Sequence, residues 1–519
     1  MDDKILDWVL PAEKFSQDGD PQSMRTVARE IFALDKNSAE GLALMAEASF
    51  YLGNLEEAES FAQYALAVEP NHLRGRLVTG GVAIKNFQLK TQLRILNAVI
   101  NDAHEELKRL RANLQEHNRK FAFNRRKRTS EDEKFERRID KENFIVKSIL
   151  FKALCWSSNG LYLTGEPARA AEFLSEASAL TDNNELAAEL YSKHLFLKNY
   201  REMSQAQTKE LAQKYDSFFA TVTPFPHDKS FDAYKKIHVG YISPDFREHA
   251  VANFLAPFLT DYDAENFSVT CYFTGRKDLV TAKFKKLKVG WRDLIGKSAA
   301  VAAQIIFEDN VDILVDLSGH SQDSCLPVLA YKPAPVQICG IGYLATTGLS
   351  TVDYYITDPI VDPPGQHEQY FTENPLFLSS QFSAYATLEG DIPDIADAPC
   401  LKNGFVTFGV FNQYRKITDE MIAAWGQILA RSDNSRLLLK CSEYANEEFV
   451  ADAKARFAAF GLPAEHLIFE KATRDYMARY LDVDIALDTY PYTGGGTTLD
   501  ALYMGVPLVT LYGERGNTR

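Results

Sequence analysis

Three glycines run into two threonines between apolar segments in LDTYPYTGGGTTLDALYMGVPLVTL, residues 487–511. The pattern predicts a strand over residues 485–489, a turn bare of side chains, and a short helix over residues 499–504. Thr497 or Thr498 would cap that helix, Asp500 would sit in its first turn, and Gly505 and Pro507 would stop it. Free amides at a helix start, reached through Gly495 and Gly496, make a seat for an anion such as a diphosphate. Taken alone, the same residues also fit an ordinary strand–helix turn packed through its glycines. A second stretch, VFNQYRKITDEMIAAWGQIL (residues 410–429), repeats the transition, with a helix starting at Thr418 and burying Ile422, Trp425 and Leu429. It sets Lys416 just past a strand's carboxyl end, where the ammonium either reaches a phosphate or stands on the surface. A third, HVGYISPDFREHAVANFL (residues 238–255), places His249 at a helix start, as a cleft group or as a partly buried structural histidine. VDLSGHSQD (residues 315–323) likewise puts Ser318, Gly319 and His320 at a strand's carboxyl end. The DVD of residues 482–484 imitates a metal-binding DxD, but it opens an apolar strand and is read as flanking it. No set of His, Asp or Glu has metal spacing, so no metal is expected.

The elements that must hold these residues fall into two sets of short β-rich runs separated by helical stretches. IHVGYIS, FSVTCYFT, VDILVDLSG, PVQICGIGY and DYYITD form the first set; FVTFGVFN, RLLLKCS, HLIFEK, DIALDT and PLVTLYG form the second. Near-continuous apolar strands imply parallel sheets covered on both faces, hence an α/β class with two doubly wound domains, over residues 236–385 and 400–519. Ligands of such sheets bind beyond the strands' carboxyl ends, which is where the three stretches fall. Residues 1–222 read as helical and repetitive. YLGNLEEAESFAQYALAVEPN (residues 51–71) aligns with YLTGEPARAAEFLSEASALTDNN (residues 162–184), Gly53, Ala58 and Ala65 matching Gly165, Ala170 and Ala177. This resembles the tetratricopeptide repeat, whose stacked helix pairs present a concave surface for extended chains. A charged segment, residues 105–143, reads as a long exposed helix or helical hairpin. Its basic cluster at residues 125–128 reads as a solvated face rather than a nucleic-acid patch. Residues 223–235, with two prolines, read as a linker.

The chain has 519 residues, a net charge of −14 and 46% hydrophobic residues, which excludes a disordered chain and argues against nucleic acid or an anionic membrane as partner. Six scattered cysteines without a CxxC pair argue against a zinc site and a disulfide scaffold, and fit a reducing cytoplasm. With no signal peptide and no apolar stretch near 18 residues, a cytoplasmic location is expected.

Taken in order, VGYISPDFREH, DILVDLSGH, KPAPVQICGIGYLATTG, DYYITD, FNQYRKI and LDTYPYTGGGTTLDALYMGVPLVT resemble the O-linked N-acetylglucosamine transferases and their SPINDLY-like bacterial relatives, over about residues 236–519. The resemblance implies helical repeats followed by a GT-B catalytic unit, two Rossmann-like domains with the donor in the cleft. It implies inverting, metal-independent transfer of N-acetylglucosamine from UDP-GlcNAc to Ser or Thr of acceptor proteins, with no cofactor. By motif match, Lys416 and Gln413 correspond to the family's contacts to the donor diphosphate, and His249 to its cleft histidine. Gly495, Gly496, Thr497, Thr498 and Asp500 fall on its nucleotide-contacting helix start. Lys471, Ala472 and Thr473 fall where backbone groups meet uracil. Tyr476 stands where animal members carry a histidine stacked on that base, and Gly495 and Gly496 where they carry histidine and threonine. The implied partner is an acceptor protein held by the repeats, flagellin or another surface protein if the source is bacterial. Transfer of fucose, glucosylation of asparagine, or a silent repeat scaffold are the competing readings. Relatives continue past GERGNTR, so the second domain is expected to be truncated.

Overall fold

The computed structural model describes residues 3–124, 128–227, 235–380, 392–432 and 434–519. The residues of the basic cluster before Arg128 lie outside that description, as does part of the stretch read as a linker. The chain forms two compact units, Met1–Asp182 and Asn183–Arg519.

The first unit is helical: α1 (Asp3–Gln17), α2 (Pro21–Leu34), α3 (Ala39–Tyr51), α4 (Leu55–Val68), α5 (Leu73–Lys85), α6 (Leu89–Asn124), α7 (Ser130–Leu163) and α8 (Pro167–Leu180). Small residues let paired helices close: Ala46 and Phe50 of α3 pack on Ala58 and Ala62 of α4. The matched glycines Gly53 and Gly165 take left-handed backbone, φ 83° and 86°, in the turns that open α4 and α8. The charged segment is no separate insertion. It is the outer part of two unusually long helices, α6 and α7, and Thr129 starts α7 with a capping box to Asp132.

Buried ion pairs join the helices of this unit. Every residue of α3 from Ala39 to Phe50 is buried. Arg74 of α5, with no exposed surface, meets Glu13 of α1, Glu40 at 2.7 Å and Glu47 at 2.5 Å. Lys152 of α7 meets Glu13 at 3.0 Å and Glu47 at 2.5 Å. Ions so buried persist only when paired on every side. The two cations outweigh desolvation and hold the Glu13 carboxyl down at about 2. Helices α1 and α7 are therefore tied to α3 and α5 through buried charges.

The second unit starts earlier than the repeats' sequence pattern suggested. Helices α9 (Asn184–Lys198) and α10 (Gln205–Gln213) belong to it, because Tyr191 and Leu195 join the core formed by Ile242, Leu314 and Leu329. A seven-stranded parallel sheet follows, in the order β3-β2-β1-β4-β5-β6-β7: β1 (Ile237–Ser243), β2 (Phe267–Phe273), β3 (Gly290–Asp293), β4 (Ile313–Asp316), β5 (Val336–Cys339), β6 (Tyr354–Thr357) and β7 (Asn374–Phe377). Its helices are α11 (Ala250–Thr260), α12 (Leu279–Phe284), α13 (Ala299–Glu308) and α14 (Leu326–Leu329). A five-stranded parallel sheet, β10-β9-β8-β11-β12, is built from β8 (Val406–Val410), β9 (Ser435–Cys441), β10 (Leu467–Lys471), β11 (Ile485–Leu487) and β12 (Leu508–Val509). It carries α15 (Cys400–Asn403), α16 (Asp419–Ala430), α17 (Glu447–Ala459), α18 (Tyr476–Arg479) and α19 (Gly496–Tyr503). In both sheets the strand order reverses beside the first strand, which opens a crevice at the carboxyl ends. Among the described residues, no helix is long and apolar enough to cross a membrane.

Candidate functional site

Just past β11 the buried Asp488 carboxylate gathers the glycine turn. One oxygen accepts from the amides of Thr489 (2.8 Å) and Gly494 (2.7 Å), the other from the Thr510 hydroxyl at 2.8 Å. Burial, more than these bonds, sets the proton affinity of Asp488 and raises it. Gly494 must be glycine: a Cβ there would lie 2.5 Å from Thr497 Oγ1 and 2.8 Å from Thr498 Oγ1. Helix α19 starts at Gly496 and its N-cap is Gly495, with no side-chain cap. This corrects the expectation that Thr497 or Thr498 caps it. Their hydroxyls are spent elsewhere, Thr497 on Asn412 Oδ1 at 3.1 Å and Thr498 on the Gly494 carbonyl at 2.9 Å. The helix start thus has no side-chain cap, the Thr498 amide donates to the Gly495 carbonyl at 3.2 Å, and open space lies where a Gly495 side chain would stand.

Lys416 comes from a single turn, Tyr414–Lys416, between β8 and α16, where the Thr418 hydroxyl caps the helix. Half-buried, it donates to the Thr493 carbonyl at 2.9 Å and lies 4.2 Å over the Tyr492 ring. Desolvation lowers its pKa to about 8, against the pull of Asp488. Two stretches about 80 residues apart in sequence thus place an ammonium beside the glycine turn. Asn412, also buried, locks them by donating to Asp488 Oδ1 at 3.5 Å while accepting from Thr497. The Thr493 amide and hydroxyl are themselves held by the Asn517 carbonyl, at 3.2 and 2.9 Å. Gln413 is exposed, and its side-chain oxygen accepts from Arg415 at 3.0 Å.

Across the crevice, His249 is the N-cap of α11. Its Nδ1 lies 3.4 Å from the buried Asp245 carboxylate and 3.4 Å from the Val251 amide. Desolvation lowers the histidine's pKa, and Asp245 opposes it. A neutral imidazole is the form able to take a proton. The two helix starts face one another: a Cβ on Gly496 would stand 3.9 Å from that of Ala250. His249 and the α19 amides therefore border the same crevice.

Tyr476 is half-buried at the start of α18 and donates to Asp500 at 2.9 Å, so Asp500 lies buried inside α19 as a support for the tyrosine. Lys471, the last residue of β10, and Ala472 and Thr473 just past it are exposed. Two of the backbone groups expected to meet a base are already engaged: the Ala472 amide donates to Cys441 O and the Lys471 carbonyl accepts from Lys440, both at 3.0 Å. His320 is a buried structural group, bound to Ser192 at 2.9 Å and to the Thr347 carbonyl at 2.8 Å. Of the DVD, Asp484 accepts from the amides of Cys400 and Thr407, and Asp482 pairs with Arg479. Sequence reasoning missed Asp488, Asn412 and Asp245. For Asp488 a signal existed: a carboxylate at a strand end just before a glycine-rich turn.

Two Rossmann-like sheets, with Lys416 and the glycine turn past the carboxyl ends of one and His249 past those of the other, have a GT-B type architecture. The description of Glycosyl transferase family 41 matches residues 200–385 and 397–519, and the chain belongs to that family. It is similar to the probable UDP-N-acetylglucosamine–peptide N-acetylglucosaminyltransferase SPINDLY of Oryza sativa subsp. japonica, 36% identical over 319 residues, covering 59% of this chain and 33% of that protein. The protein so named from Arabidopsis thaliana is 40% identical over 295 residues, covering 55% and 32%. The chain thus spans about a third of the length of these curated relatives. In fold it matches a variant of Thermobaculum terrenum O-GlcNAc transferase, with a TM-score of 0.64 at 24% identity over 99% of this chain and 84% of that one.

Proposed function

We propose that the protein transfers N-acetylglucosamine from UDP-GlcNAc to serine or threonine of acceptor polypeptides, with inversion and without a metal. The observation that carries this reading is the meeting of Lys416, the open start of α19 and His249 at one crevice. The acceptor oxygen attacks the anomeric carbon, the bond from that carbon to the phosphate oxygen breaks, and UDP leaves with the electron pair. Lys416 and the α19 amides neutralise the charge gathering on the diphosphate. His249 takes the hydroxyl proton. Tyr476 is assigned to stack on the base, with Thr473 and the Ala472 carbonyl as its edge contacts, and Gln413 to the diphosphate. The donor is taken from what the SPINDLY relatives are named for. All six cysteines are unpaired, which supports a reducing, cytoplasmic setting. The test is calorimetry with UDP and a panel of nucleotide sugars, together with intact-mass analysis of a Ser/Thr peptide. A gain of one N-acetylhexosamine from the UDP donor alone is expected; preference for another sugar, or no UDP binding, would sink the assignment.

A further inference from the structure

The Lys416 ammonium, half-buried, donates to the Thr493 carbonyl at 2.9 Å and stands 4.2 Å over the ring of Tyr492. Asp488 attracts it through space, but the oxygens of that carboxylate already accept from Thr489, Gly494 and Thr510. Arg415, its neighbour in the chain, repels it. An ammonium drawn out of water needs its charge met nearby, and the negative face of an aromatic ring can do this without a carboxylate.

Both the ring and the carbonyl trace back to the end of α9. Phe196 of α9 and the buried Tyr200 just past it stand against the Tyr492 ring at 81° and 88°, with centroids 6.1 and 4.8 Å away. Thr493 is tied to the same place. Its amide and hydroxyl donate to the Asn517 carbonyl, and the Asn517 side chain donates to the Asn199 carbonyl at 3.2 Å. Close by, Arg515 donates to the Arg201 carbonyl at 2.7 Å and Tyr490 to Glu202 at 3.0 Å. Helix α9 is itself fixed in the core under the seven-stranded sheet by Tyr191 and Leu195. A helix of one sheet's core therefore sets the ring against a lysine carried by the other sheet.

We propose that Tyr492 is a positioning residue for Lys416, its ring held by Phe196 and Tyr200 so that the ammonium stays charged and in place for the donor diphosphate. The proposal rests on the transferase reading for the identity of that diphosphate. It is tested in the full chain by trace acetylation with acetic anhydride over a pH series, the Lys416 peptide being quantified by mass spectrometry. Only the neutral amine reacts, so the midpoint of reactivity reports the charge of Lys416 with no ligand present. That midpoint is expected near pH 8 in the unsubstituted chain. Tyr492→Leu removes the aromatic face and is expected to lower it by roughly half to one pH unit, while Tyr492→Phe, which keeps the ring, restores it. Tyr200→Leu, which frees the ring, is expected to move the midpoint the same way. In calorimetry with UDP, the pH above which affinity falls should move down with the midpoint. The effect of Tyr492→Leu should vanish in a Lys416→Met background. A merely structural tyrosine would instead weaken UDP binding equally at every pH. An unmoved or raised midpoint in Tyr492→Leu, or an equal drop in Tyr492→Phe, overturns the positioning role, and an unmoved midpoint in Tyr200→Leu overturns the part given to α9. Failure of the unsubstituted chain to bind UDP counts instead against the transferase reading, and the labelling still decides the role of the ring.

Discussion

At the scale of single residues, Lys416 separates stability from function. Its pKa in the folded chain, about 8, lies below the ordinary lysine value of 10.5. Between those values the unfolded chain holds the extra proton, so stability rises with pH across that window, and below pH 8 the buried charge is a net cost. Lys416→Met is therefore expected to lower kcat by about 10²–10³ while Tm at pH 7 does not fall. Near-normal turnover would remove the lysine from the chemistry, and a collapsed Tm would make it a structural residue. A bound diphosphate favours the charged ammonium, so UDP binding above pH 8 should take up a proton. Calorimetry should show affinity weakening by up to about tenfold per pH unit there, a slope that Lys416→Met removes.

Elements hold these residues by close approach. The start of α19 has no side-chain cap because the threonine hydroxyls bond elsewhere, Thr497 to Asn412 and Thr498 back to the Gly494 carbonyl, and Gly494 leaves them room. Gly494→Ala forces that start to shift. An overpacking cost of about 1–3 kcal/mol should lower Tm by a few degrees, and the displaced helix start should weaken UDP binding roughly tenfold; unaltered UDP affinity would show that the helix start does not hold the ligand. In the first unit, α1 is pinned by Glu13 to Arg74 and Lys152. Glu13→Ala leaves buried cations short of a partner and should cost about 3–5 kcal/mol of stability, read by denaturant unfolding. Because the Glu13 carboxyl is held at about 2, below the ordinary 4.5, the stability it contributes is present above pH 4.5 and is lost as pH falls from 4.5 toward 2.

For the whole molecule, the division at Asp182 sets the useful deletion. Removing residues 1–182 keeps α9, whose Tyr191 and Leu195 belong to the second unit's core. UDP binding and donor hydrolysis are expected to persist, and transfer to proteins to fall more than either, through loss of the first unit's outer surfaces. Equal loss of hydrolysis and protein transfer would show that the first unit is not an acceptor platform.

The strands of both sheets were legible because strands buried on both faces leave long apolar runs, and the turn before α19 because three glycines in a row break the pattern. Lys416 was legible as a residue past a strand end and His249 as one at a helix start. Which core claims α9 was not, since helical periodicity marks a buried face without naming its neighbour. The buried ion cluster was likewise hidden, because Glu13 and Lys152 lie 139 residues apart and read singly as surface charges. The same holds for Asp488 with Asn412, 76 residues apart. Sequence alone determined which segments are strand, helix and bare turn, since local sterics and burial patterns act along the chain. Only the tertiary structure decided which hydroxyls and charges are consumed by distant partners, because that depends on contacts that folding creates.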